Sequence, residues 1–118
     1  MGEVLQNPES SSGQLPPAEP VRLDTLLEYV PGSIVSRTLI KNQVGTVTLF
    51  SFDAGQGLSE HTAPFDAMVQ ILDGKAEVTI GGKVVEAHAG HTVLMPAHVS
   101  HSLHAPERFK MLLVMIRG

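Results

Sequence analysis

An all-β domain preceded by one short helix is the fold class this 118-residue chain predicts. Three observations carry that expectation. Short strand-like stretches recur at intervals of about 8–12 residues, the spacing of a sandwich or barrel. Turn-forming residues separate them: Asn42, Asp53–Ala54–Gly55, Asp73–Gly74, Gly81–Gly82, Ala89–Gly90 and Ala105–Pro106. Within the stretches, apolar and polar side chains alternate instead of recurring at helical spacing.

Residues 1–20 stand apart from this pattern. They hold four of the eight prolines (Pro8, Pro16, Pro17, Pro20), the run Ser10–Ser12, three glutamates and no basic residue. Such a segment buries too little apolar surface to offset its ordering entropy, so a flexible tail is expected over 1–20 and a single domain over 21–118. Leu23, Leu26, Leu27 and Val30 then fall at helical spacing, and Pro31–Gly32 stops the run; this predicts one short amphipathic helix.

Strands are expected at Ser33–Lys41, Gln43–Phe52, Ala67–Leu72, Lys75–Ile80, Lys83–Ala87, Thr92–Met95, Val99–Leu103 and Arg108–Ile116. Asp73–Gly74 and Gly81–Gly82 have the tolerance of positive φ that tight hairpins need. In Lys75–Ile80, Ala76, Val78 and Ile80 alternate with Lys75, Glu77 and Thr79, one dry face and one wet. The last strand differs, because Leu112, Val114 and Ile116 make its second half apolar on both faces. Something beyond its own sheet must cover it, either the helix or a second subunit. A homodimer is the expectation.

Composition excludes several function classes. Hydrophobic residues are 42% and charged residues 17%, ordinary for a globular domain. A formal charge of −4, with lysines and arginines scattered singly, predicts no nucleic-acid partner. The absence of cysteine removes disulfides, thiolate metal sites and a thiol nucleophile. No apolar run approaches the ~20 residues of a membrane span, and the acidic N-terminus lacks the apolar core of a secretory signal, so a cytoplasmic protein is expected. No Ser–His–acid set or phosphate-cradling glycine loop is readable.

Two separated fragments carry the functional signal. Gly55–Gln56–Gly57–Leu58–Ser59–Glu60–His61 runs on to Gly74, and Gly90–His91–Thr92–Val93–Leu94–Met95–Pro96 runs on through His98 to His101. They resemble the two signature motifs of the cupin family, with Gly55, His61 and Gly74 in register in the first and Gly90, Pro96 and His101 in the second. The resemblance covers residues 55–105 directly and about 33–117 by strand pattern. It implies a double-stranded β-helix, or jelly-roll barrel, often homodimeric in small members. It also implies a pocket holding a divalent transition metal (iron, manganese, nickel or zinc) on three histidines and a glutamate. This chain departs from that set: Ala63 stands at the second histidine position and Ala67 at the glutamate position, while His98 replaces the motif's glycine and Ala105 its asparagine.

His61 and His101 are therefore the expected metal ligands. Positions 61 and 63 share a strand face, position 67 opens the next strand on the inner face, and position 101 enters from the opposite sheet. His98 and Gln70 are candidate substitutes for the missing donors, although alternation puts Gln70, like Glu60, on the wrong face unless a bulge intervenes. His104, His88 and His91 are expected at the surface. Ala63, Ala67 and Met95 are expected to line the pocket. Two functions follow: a metal-dependent enzyme using His61 and His101, or a metal-free binding or structural module whose alanines enlarge the pocket for a small-molecule ligand.

Overall fold

Gly81 and Gly82 take φ of 56° and 83°, the paired positive values of a two-residue hairpin turn, and they close one predicted hairpin. It belongs to an arrangement of eight strands within residues 15–117, the part of the chain that the computed structural model describes. The strands are β1 (Ile34–Asn42), β2 (Gly45–Phe52), β3 (Gly57–His61), β4 (Phe65–Ile80), β5 (Lys83–His88), β6 (Thr92–Met95), β7 (His101–His104) and β8 (Phe109–Arg117). All pairings are antiparallel.

Two sheets share β4. Its first half pairs with β8 and β6, in the order β1-β2-β8-β4-β6; its second half pairs with β7 and β5, in the order β3-β7-β4-β5. The expected Asp73–Gly74 hairpin is therefore absent. Residues 65–80 form one strand, and Asp73–Gly74 is the corner at which it passes from one sheet to the other. The register against β8 slips between Ile71 and Asp73, and Gly74 takes φ 76°. A bulge with a left-handed glycine bends a strand without ending it, so the dipeptide that reads as a tight hairpin makes no chain reversal here.

The core lies between the sheets. Phe52 and Phe109 are directly paired and stack with centroids 4.5 Å apart, and Val69, Ile71, Val78 and Met111 are fully buried around them.

The predicted helix is reduced to a single 3₁₀ turn, Leu23–Thr25. Arg22 supplies no side-chain cap, and the stretch before Pro31 is far shorter than the ~12–15 residues a helix needs to stand alone. Its backbone bonds to the sheet instead. Arg37 donates to the Leu26 carbonyl, Ser51 to Glu28 and Lys110 Nζ to Asp24, while Asp53 Oδ2 accepts from the Gly32 N–H. Tyr29 Oη donates to Asp73 Oδ2 at 2.5 Å, and the Arg108 guanidinium lies 4.6 Å from its ring centre. Burial, then the Asp73 contact, pushes the Tyr29 phenol above its ordinary range.

The strap does what the helix was expected to do, in part. Leu27 is buried with Leu39 and Leu49, and Leu15, Leu23, Leu26, Leu72 and Leu112 pack against them on the outer face of the first sheet. Val30 is not part of that cluster; it stays exposed. Of the doubly apolar half of β8, Leu112 is covered and Ile116 is not. The expected tail over 1–20 lies, up to residue 14, outside the described residues. No helix among the described residues is long and apolar enough to cross a membrane.

Candidate functional site: a paired-histidine cavity

β3 is not among the strands expected from residue pattern, and the resemblance put only positions 61 and 63 on one; it is short, polar and largely exposed, and it ends at His61, before Ala63. It pairs with β7 as Leu58 opposite Leu103 and His61 opposite His101. Two residues lie between these positions on β3 and one on β7, so β3 carries one extra residue, a bulge at Ser59–Glu60. Strict alternation would turn His61 away from the side Leu58 faces. The bulge restores it, and both residues line one cavity. A bulge is thus present beside Glu60, but it aims the histidine inward and leaves Glu60 exposed.

The two histidines meet. Their Nε2 atoms lie 3.1 Å apart, with ring centres 4.4 Å apart and planes at 70°. His101 is buried at the floor, 7% exposed, and His61 stands at the solvent side. Each ring is held in the same way. His61 Nδ1 lies 2.8 Å from the Ser59 carbonyl oxygen and His101 Nδ1 lies 3.2 Å from that of Val99. A carbonyl oxygen only accepts, so both Nδ1 atoms carry hydrogen and donate it. In the neutral rings both Nε2 atoms are then lone pairs, and the two lone pairs point into the same space. Such a pair needs a proton or a cation between its nitrogens.

The cavity encloses about 60 Å³ and is lined by Leu58, His61, Ala63, Ala67, Met95 and His101, together with Leu103, Leu113 and the methionines of β8. Ala67 and Met95 reach it from β4 and β6, and Ala63 from the connection between β3 and β4. The cavity is nonetheless small, about two water molecules' share of volume, with Met95, Met111 and Met115 in its wall beside the alanines. Met111 and Met115 line it too. Their period-two spacing on β8 was the available signal, but their pairing with β4 was not legible.

Other candidates lie elsewhere. Gln70 is on the outer face of β4, paired with Leu112 and Thr92 and alternating with buried Val69 and Ile71. His98 is exposed at φ 66° in the turn before β7, its N–H donating to the Ala63 carbonyl. The glycine of the family motif falls at this left-handed position, where a non-glycine residue costs about 1–2 kcal/mol. His104 alternates outward from buried Leu103. His88 and His91 form an exposed pair, with the Glu86 carboxylate 3.3 Å from His88 Nε2. Asp66 accepts the Ala97 N–H and secures the turn leading to His98. Among the described residues, no three histidine, aspartate or glutamate side chains gather around a common point.

The geometry agrees with the comparisons. The family profile described as cupin domain matches residues 48–117. The chain belongs to the cupin family. Similar solved structures include a conserved protein of unknown function from Streptococcus pyogenes, 38% identical over 89% of this chain and 92% of that one, with a TM-score of 0.85. A cupin superfamily protein from Desulfitobacterium hafniense is 28% identical over 89% and 96% of the two chains, with a TM-score of 0.84. A cupin conserved-barrel domain protein from Leptotrichia buccalis is 35% identical over 80% of this chain and 46% of that one, with a TM-score of 0.78. No curated protein matches the chain significantly.

Proposed function

We propose that this cupin binds a transition-metal ion between His61 and His101 in the barrel cavity. The observation that carries the reading is the convergence of two Nε2 lone pairs 3.1 Å apart, each fixed by an Nδ1–H donated to a carbonyl. Nitrogens held ~2.0–2.1 Å from one ion lie about 3 Å apart when they are neighbouring ligands, so the pair fits an ion with little movement. Among the described residues, no carboxylate lines the cavity. Among the expected divalent ions this favours zinc, nickel and iron, which accept imidazole, over manganese, which prefers oxygen. A bound ion keeps open positions and supplies Lewis acidity to a small oxygen-bearing ligand entering past His61. A metal-free module for a larger ligand is disfavoured by volume, since small-molecule pockets run to about 300–1,000 Å³.

Elemental analysis of tag-free, chelator-free protein beside its His61→Ala/His101→Ala variant tests this. The expected result is near-stoichiometric metal in the wild type and none in the variant. Absence from both, even after incubation with zinc, nickel, iron and manganese and, anaerobically, with Cu(I), overturns the reading.

A second copy of the chain is the partner we propose, docked on the outer face of the first sheet. Register aligns Ile40, Val47, Val114, Met68 and Leu94 in one row across five strands. Beside it lies a groove of about 220 Å³ lined by Val44, Val114 and Ile116. Ile40, Val44, Met68, Leu94 and Ile116 are 42–66% exposed, together on the order of 500 Å² of apolar surface, at the upper end for a monomer's largest patch. With a polar rim this approaches the ~800 Å² per partner of a stable interface. Light scattering should give twice the chain mass for the wild type and the single mass for Met68→Glu/Leu94→Glu. A monomeric wild type at high micromolar concentration refutes the proposal.

A further inference from the structure

The cavity carries donors that the two-histidine description leaves unused. Register makes Met95 and Met115 the two cross-strand neighbours of Ala67, one on β6 and one on β8. Directly opposed residues have Cβ atoms about 4.5–5.5 Å apart. The small alanine therefore stands between two long thioether side chains, at the position where the family's carboxylate ligand would project. All three residues line the cavity that holds His61 and His101, and Met111 joins them from the same face of β8. The hard oxygen donor is missing and soft sulfur flanks its place.

Resting on the two-histidine reading, we propose that the site is selective for a soft monovalent ion, Cu(I), held by His61, His101 and a thioether of Met95 or Met115. Thioether sulfur selects Cu(I), whereas the harder divalent ions gain little from it. The charge of the lining points the same way. Among the described residues, the cavity wall holds two imidazoles and otherwise apolar groups, with no anion to compensate a dication. The cost of moving an ion from water into such a medium rises with the square of its charge, so the monovalent ion loses far less on entry. Methionine also adapts its three torsions to a ligand without backbone movement. Leu58, Leu103 and Leu113 keep the surroundings apolar, which protects the reduced ion from water.

The test is an anaerobic titration of the full-length protein with Cu(I) against a chromophoric Cu(I) chelator, with a parallel zinc titration. The variants are Met95→Leu/Met115→Leu and His61→Ala/His101→Ala. Leucine conserves volume, so the methionine variant keeps the core filled. The expected result is one Cu(I) per wild-type chain, at least tenfold weaker Cu(I) binding in the methionine variant with zinc binding unchanged, and no Cu(I) in the histidine variant. X-ray absorption of the Cu(I) complex should show sulfur beside nitrogen, and lose the sulfur in the methionine variant. Equal Cu(I) affinity with and without the two thioethers, or a nitrogen-only spectrum, overturns the proposal while leaving the two-histidine site standing. Failure of both zinc and Cu(I) to bind the wild type removes the two-histidine reading as well.

Discussion

Gly74→Ala is expected to destabilise the fold by about 3–5 kcal/mol, at the severe end for one added methyl group. Two costs add at this position. The backbone sits at φ 76°, a left-handed conformation that an L side chain enters at about 1–2 kcal/mol. A Cβ there would also lie 2.0 Å from the Arg108 carbonyl oxygen and 2.9 Å from the Phe109 Cα. Both obstacles are backbone, so no side-chain rotation relieves them. β8 would have to leave the β4 corner, breaking the Gly74–Phe109 register and the Phe52–Phe109 stack behind it. Gly90→Ala is the control. Its φ is 93°, but a Cβ there meets nothing within 4 Å, so only the conformational cost of about 1–2 kcal/mol applies. Urea unfolding of the two variants should separate these values clearly. Equal losses would mean that the corner yields and that close strand approach is not what requires glycine at 74.

The second large effect is a gain. Ala63→His/Ala67→Glu should raise zinc affinity at least ~100-fold over the wild type, since even ligand-supporting contacts are worth 10–100-fold in metal affinity. Both alanines line the cavity with His61 and His101, so donors placed there converge on the same space. The two larger side chains exceed a cavity of about 60 Å³, and Met95 and Met115 must give way. The metal-free variant should therefore lose about 1–3 kcal/mol by overpacking. Added zinc should return more than that loss, because an ion that binds only the folded state stabilises it by mass action. Calorimetric titration and thermal unfolding with and without zinc measure the two effects. A folded variant that binds zinc no more tightly than the wild type would show that positions 63 and 67 do not converge on the histidine pair.

Most strands were legible because their signal is local. Side-chain alternation in 75–80, the paired glycines at 81–82 and the strand at 92–95 depend on near neighbours alone, and each is found where expected. β3 was missed for the opposite reason. Five mostly polar, exposed residues show no apolar alternation, and what makes them a strand is pairing with β7, about 45 residues away in the chain. The helix failed because spacing of Leu23, Leu26 and Leu27 reports a common buried side, and that side can be reached without helix. Hydrogen bonds from Arg37, Ser51 and Lys110 to the strap's carbonyls made the alternative available.

At the site, the family resemblance located His61 and His101, and parity correctly separated His104 from His101. The facing Nε2 atoms could not be read in the same way, because they depend on a bulge in β3 that no residue type announces. The small volume of the cavity was likewise hidden. Counting alanines suggests a larger pocket, but the methionines that fill it come from β6 and β8.

The sequence by itself determined an all-β chain, the order of most of its strands, the family it belongs to and the two histidines on which a site would be built. These rest on alternation, turn chemistry and residue spacing, all carried along the chain. Only the tertiary structure decided that Gly74 turns a corner within one strand, that both histidines present lone pairs to one point, and that two thioethers flank Ala67. Each of those depends on which strands pair and in what register. Register is set by burying one face of each strand against residues far away in the chain, and no local pattern contains it.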